Sequence, residues 1–321
     1  MTVNGYRPTQ PNYASTLPVP SAADGPKIPE EGYLVQEIAD QLYWLTDGGY
    51  GMMFSVADEG VIAVDAPPTL GHNITRAIAK VTSKPVTDVV YSHQHADHIG
   101  AAGLYPDTAR RYAHRETARQ LSDVQDKNRP VPTDVFDSSL VVGEGDRSLR
   151  LDFHGPNHST GNIHIYAPAQ KTLMFVDVMF PGWVPFAYLA VSADIPGWIK
   201  AHTATRNYDF DTLVAGHLTR LGTPADVDTQ IAYVTDLRQA ATQALASVDF
   251  AEVTGSLDPA NGWARYGAYF DAVAARTTDA IVPEWADRLA GADVFTWSNA
   301  WAMAEAVNID FGTVTDYQIH P

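Results

Sequence analysis

Within six positions the stretch His93-Gln94-His95-Ala96-Asp97-His98 offers three imidazoles and one carboxylate. These are groups that borderline-soft divalent metals such as zinc accept. The run follows an apolar segment, Val86 to Tyr91, that reads as a buried strand, and it leads into Ile99-Gly100-Ala101-Ala102. A solvated histidine tract or a purification tag would be polar on both sides. Apolar framing points to burial, where an unpartnered imidazole is costly, and so to metal binding. A strand that stops abruptly before a small-residue helix start would send His93 and His95 one way and Asp97 and His98 another. That makes two half-built sites.

Further imidazoles and carboxylates stand at places where the chain must turn. Gly155-Pro156-Asn157-His158-Ser159-Thr160-Gly161-Asn162 carries His158, Leu173 to Val176 ends on Asp177, Leu213 to Gly216 ends on His217, and Val61 to Val64 ends on Asp65. Taken in order, over about Tyr33 to Gly222, these elements resemble the signature of the metallo-β-lactamase superfamily. The resemblance implies an α/β fold, an αββα sandwich with metals at one edge. It implies that His93, His95 and His158 hold one metal, that Asp97, His98 and His217 hold a second, and that Asp177 bridges them. Asp65 matches the family's buried aspartate that is not a ligand.

Three protein ligands and a bridge leave each ion an open position, the mark of a catalytic site. Two ions about 3.5–4 Å apart lower the pKa of a shared water and present a bridging hydroxide to a carbonyl. Asp97 is the candidate to orient that nucleophile or shuttle its proton. Imidazole at 95, where di-iron relatives that reduce oxygen or nitric oxide commonly carry Glu, leans towards zinc-type hydrolysis. Aspartate at 177, where much-studied β-lactamases have Cys, leans towards the lactonase and thioesterase branches. Two divalent ions are expected, zinc first, with iron, manganese or cobalt also compatible.

The loop that leaves Asp177, Phe180-Pro181-Gly182-Trp183-Val184-Pro185-Phe186-Ala187-Tyr188-Leu189, holds two prolines within six residues, which keeps it from being a helix or a central strand. Aromatic loops plug a core or line a pocket. Its departure from Asp177 favours a pocket, with Phe180, Trp183, Phe186 and Tyr188 as substrate-binding candidates. The expected activity is hydrolysis of a carboxylic ester, a lactone first, with an apolar or aromatic body. Within hydrolases the rivals are β-lactams and thioesters. A mononuclear iron persulfide dioxygenase is the rival of another class, and a scaffold without turnover is disfavoured by the complete ligand set. His72, His114, His154, His164, His202 and His320 match no ligand position and read as ordinary core or surface histidines.

The elements that must hold these groups follow from patterning. Residues 1–30 carry six prolines and no period, and read as an arm, loose or laid on the domain through Tyr6, Tyr13 and Leu17. Residues 31–222 read as a meander of strands followed by mixed strands and helices, with helical spacing at Ile74, Ala77, Ile78 and Val81. The glycine-rich Asp47-Gly48-Gly49-Tyr50-Gly51 turn borders the site in the resembled fold. Residues 223–321 read as a helical segment, over Asp226–Ser247, Trp263–Leu289 with a break at Pro283, and Ala300–Val307. It caps the sandwich, and the arm or these helices could also serve a homo-oligomer. The chain has 321 residues, no cysteine and a formal charge of −17. That charge argues against nucleic acid and for a small-molecule substrate that is not polyanionic. No apolar run approaches the roughly 20 residues of a membrane span. The start lacks a secretion-signal layout, so no membrane partner and a cytoplasmic location are expected.

Overall fold

Alternation of side chains along the strands decides the layers. In the computed structural model, which describes residues 16–312, neighbouring residues of one strand enter different cores. Tyr6, Tyr13 and His320 lie outside the described residues.

The first half of the chain runs β1 (Leu34–Ala39), β2 (Leu42–Thr46), β3 (Gly51–Val56), β4 (Val61–Val64), α1 (Asn73–Val81), β5 (Val86–Val90), α2 (Ala96–Ile99), β6 (Arg110–His114), α3 (Arg115–Val124) and β7 (Asp134–Phe136). The seven strands form one sheet in chain order. Its first four are antiparallel and its last four parallel, β4 belonging to both runs. The second half adds β8 (Ser139–Val142), β9 (Leu149–Asp152), β10 (His164–Ala167), β11 (Thr172–Met174), α4 (Ala187–Val191), α5 (Ile195–Thr205) and β12 (Thr212–Val214). These strands make a five-stranded sheet in the order β12-β11-β10-β9-β8. It is followed by α6 (Pro224–Ser247), α7 (Phe250–Thr254), α8 (Gly262–Trp285) and α9 (Ala292–Ile309).

Met53, Ile62 and Val64 meet Leu151, Ile165, Met174 and Val176 between the sheets. Their neighbours Met52, Phe54, Val61 and Ala63 face outward, onto Ile74, Ala77 and Ile78 of α1. On the far side Leu173, Phe175 and Leu213 pack with Leu237 of α6, Phe270 and Trp285 of α8 and Met303 of α9. This is the αββα sandwich. The helices after residue 222 share a core with the second sheet and complete its outer layer, each fully buried Leu or Phe contributing about 1.5–3 kcal/mol.

Five local features differ from expectation. The strand β7 and the helix α5 are additional. Pro283 does not break α8, which continues to Trp285 and ends two residues after the proline. Helix α9 begins at Ala292, well before Ala300. The loop after Asp177 closes in a turn, α4, in which Tyr188, Leu189, Ala190 and Val191 are all left-handed, with φ of 56, 55, 60 and 50°. For L residues that conformation costs about 1–2 kcal/mol each.

The described part of the arm lies on its own domain. The Leu17 N–H donates to Asp293 Oδ2 (2.7 Å), Arg220 Nε donates to Ala22 O (2.7 Å), and Thr219 Oγ1 donates to Ala23 O.

Candidate metal centre

Each expected ligand stands just past the end of a sheet element. After β5 the chain passes through Ser92, whose N–H donates to the buried Asp65 Oδ1 at 2.7 Å, and so delivers His93. His95 directly precedes α2, which carries Asp97 and His98. Past β11 the chain reverses at Asp177 with φ of 59°, a left-handed state that aspartate tolerates better than most residues. Past β12 comes Gly216, where a Cβ would sit 2.7 Å from the His98 ring, so only glycine lets the His217 strand approach this closely. Its pairing partner is the hairpin turn: the Gly51 N–H donates to Gly216 O and the Leu218 N–H to Gly49 O, both at 2.9 Å. Two buried asparagines frame His158. Asn157 Oδ1 accepts the His158 N–H at 2.7 Å and Asn162 Nδ2 at 2.9 Å, and Asn162 Nδ2 also donates to Val176 O.

These elements bring all seven expected ligands together. One ligand atom each of His93, His95, His158 and Asp177, and likewise of Asp97, His98, Asp177 and His217, lie within 4.8 Å of one another. Asp177 belongs to both groups. Its Oδ2 is 3.1 Å from His158 Nε2, 3.1 Å from His98 Nε2 and 3.6 Å from His93 Nε2, while its Oδ1 is 3.0 Å from His217 Nε2. Asp97 Oδ2 stands 3.5 Å from His98 Nε2 and 3.6 Å from His217 Nε2. Nitrogen also faces nitrogen: His158 Nε2 is 2.9 Å from His95 Nδ1, and His98 Nε2 is 3.1 Å from His217 Nε2.

His93 Nε2 and Asp177 Oδ1 are buried without a hydrogen-bond partner, at the centre of the cluster. Buried polar atoms of this kind call for an explanation. A nitrogen and oxygen donor set that could hold metal supplies one, and the residues fit such a group.

The electrostatics agree. Burial works against charge on Asp177, but the neighbouring His98 and His158 outweigh it and hold the carboxyl well below the usual range. Burial and the surrounding imidazoles, His158 foremost, depress His93 strongly and take His95 down to about 4, leaving both neutral as a metal requires. Burial also opposes charge on His217, yet the Asp177 and Asp97 carboxylates beside it push it up to about 9. Burial raises Asp65 to about 6.

Of the aromatic candidates, Phe180 and Phe186 lie beside His217, at ring separations of 6.4 and 5.8 Å, and 5.8 Å from each other. Tyr188 is exposed on α4, 46% accessible. Trp183 is seated against Thr219, its indole N–H 3.4 Å from Thr219 Oγ1, with Gly291 facing its ring. A residue not singled out from the sequence joins the centre. Tyr50 packs 4.5 Å from the His217 ring, and its hydroxyl donates to Asp97 Oδ2 at 3.4 Å. Its signal was the glycine-rich turn that carries it. Of the other described histidines, His72 is exposed and the remaining four are engaged elsewhere. His154 pairs with Tyr208 (2.8 Å), His164 with Thr205 (3.1 Å) and His202 with the Trp198 carbonyl (2.8 Å), while His114 accepts the Glu116 N–H.

A double-sheet sandwich with a shared-carboxylate cluster at its edge defines a metal-binding αββα protein. The profile of the metallo-beta-lactamase superfamily matches residues 53–217, just over half of the chain, and the chain belongs to that superfamily, whose members are largely metal-dependent hydrolases. It is 29% identical over 197 residues to 2,4-dinitroanisole O-demethylase subunit alpha of Nocardioides sp. (strain JS1661), spanning 60% of this chain and 60% of that protein. Among solved structures it is similar to a metallo-beta-lactamase from Pontibacter korlensis (18% identity, TM-score 0.54, 62% of this chain and 97% of that one). Metallo-beta-lactamase IND-7 gives a similar match (18% identity, TM-score 0.54, 62% and 96%). These likenesses show the fold. Among the described residues no helix is long and apolar enough to cross a membrane.

Proposed function

We propose that the chain is a dinuclear metallohydrolase, zinc-loaded, that opens a carboxylic ester, a lactone first, with an apolar or aromatic body. The carrying observation is Asp177, one buried carboxylate reached by both histidine groups. His93, His95 and His158 would hold one ion, Asp97, His98 and His217 the other. When bound, the ions supply Lewis acidity, which lowers the pKa of water and polarises an ester carbonyl.

The chain's own residues do the rest. Asp97, with one oxygen already near His98 and His217, accepts the proton that water gives up as it adds to the acyl carbon. That proton then goes to the departing alkoxide oxygen as the acyl C–O bond breaks, leaving a carboxylate and a hydroxyl. Burial, with Asp97 and Asp177 nearby, raises the Tyr50 phenol, so it stays protonated and donates a hydrogen bond. Phe186, part-exposed, offers a ring face beside His217 to an apolar substrate body, and the buried Phe180 backs it.

A second reading is favoured by the relative that acts on 2,4-dinitroanisole. There, water would add to an electron-poor ring carbon bearing a methoxy group, methanol would leave, and a phenolate would remain. The same aromatic walls suit it, and that relative is one subunit, so a second chain would be a partner to seek.

The experiment is elemental analysis joined to a panel of aryl lactone, aryl ester, thioester, β-lactam and 2,4-dinitroanisole. About two zinc per chain with fastest turnover of the lactone is expected. One iron with oxygen uptake on a persulfide would overturn the reading. Asp177→Ala should lose most metal and more than the roughly 10–100-fold in rate that removal of an outer partner costs; retention of both would remove its bridging role.

A further inference from the structure

Asn299 on α9 is fully buried, and both ends of its amide are spent on the loop that closes over His158. Its Oδ1 accepts the Leu189 N–H at 2.8 Å and its Nδ2 donates to Pro185 O at 2.7 Å. Its neighbour Ser298 adds Oγ as acceptor for the Tyr188 N–H at 3.4 Å. One turn earlier on α9, Thr296 Oγ1 pairs with the Tyr233 hydroxyl of α6 at 3.1 Å, which ties the helix that carries the clamp to its neighbour.

What the clamp encloses is the left-handed turn, four successive residues with positive φ and no glycine among them. Left alone, such a segment relaxes to right-handed or extended backbone. Strain that persists is held by its surroundings. Here it directs Ala190 O onto His158 Nδ1 at 2.8 Å. The opposite nitrogen, Nε2, faces His95 and Asp177. The next residues continue the embrace, the Ala193 N–H donating to His158 O and the Asp194 N–H to Asn157 O, both at 3.0 Å.

We propose that Asn299 is a positioning residue for the metal centre. It locks the left-handed turn, and Ala190 O then fixes His158 as the Nδ1–H tautomer with Nε2 free to take a metal. Carbonyl acceptors behind ligand histidines set ring orientation and tautomer in this way. Helix α9 lies outside residues 53–217, the part shared with the superfamily. The C-terminal helices therefore gain a role in the site beyond covering the sheet. The inference rests on the metal reading above.

The test uses the full chain and two readouts: zinc affinity by competition with a chromophoric chelator, and histidine tautomers by 15N NMR of the metal-free protein. Asn299→Ala is expected to weaken zinc binding by about 10–100-fold and to let His158 populate both tautomers. Adding Ala190→Gly should return most of that affinity, since glycine takes the left-handed state without a Cβ clash. If Asn299→Ala does not fold, Asn299→Asp opens the same clamp without a cavity, by setting a carboxylate oxygen against Pro185 O, and the same direction is expected. Wild-type affinity with an unmixed tautomer would overturn the proposal, and so would a loss that Ala190→Gly does not recover. A wild-type chain that binds no zinc would instead sink the metal reading, and the tautomer comparison would still decide the clamp.

Discussion

Tyr50 sits where a protonated phenol is useful. It touches Asp97, stacks near His217, and is held in its uncharged form by burial and two carboxylates. Tyr50→Phe keeps the ring and removes the donor. Metal content should be unchanged, while kcat falls on the order of 100-fold, as when one donor to a developing oxyanion is lost. A change confined to KM would make it a binding residue only. The clustered histidines and aspartates were legible in the sequence because their types are scarce and they stand in the turns that follow strands. Tyr50 was not, since tyrosine in a glycine-rich turn has no distinguishing pattern. Asn299 was less so: its partners Leu189 and Pro185 are 110 and 114 positions away in the chain.

At the scale of elements, the strands were readable wherever side chains alternate between two apolar cores, as at Met52 to Phe54 and Leu173 to Val176. Three residues are too few for β7 to show a period, and α5 begins Ile195-Pro196-Gly197, which reads as a turn. No glycine marks α4, so its handedness follows from packing. The start of α6 shows an element end tied to the arm. Asp226 accepts from Arg220 Nη1 at 3.1 Å and from the Thr223 N–H and Oγ1 at 2.8 and 2.9 Å, and Arg220 also reaches the arm. Burial opposes the charge on Asp226, but Arg220 and Thr223 outweigh it and lower its pKa below the ordinary 3.8. With the folded value depressed, the stabilisation is present above pH 3.8 and is lost as acid titrates first the unfolded and then the folded carboxyl. Asp226→Asn should therefore lower Tm at neutral pH, by the equivalent of about 1–2 kcal/mol. Its deficit should shrink as the pH falls below about 4. A pH-independent difference in thermal melts would show that the carboxylate charge is not what holds this corner.

Over the whole molecule, a charge of −17 repels anions that come within the screening length. For two esters differing only in one remote carboxylate, kcat/KM of the anionic one should rise severalfold from about 20 to about 200 mM salt, and that of the neutral one should stay flat. Equal salt responses would show that local groups at the site override the overall field. One consequence follows from the pairing of the glycine-rich hairpin with the strand that carries His217. Both hydrogen bonds are main-chain to main-chain, Gly51 to Gly216 and Leu218 to Gly49. Residues of the tip other than Tyr50 can thus be varied by evolution, or at the bench, with the neighbouring imidazole left in register. Preference for one leaving group over another is free to drift while the reactive core beneath it is inherited intact.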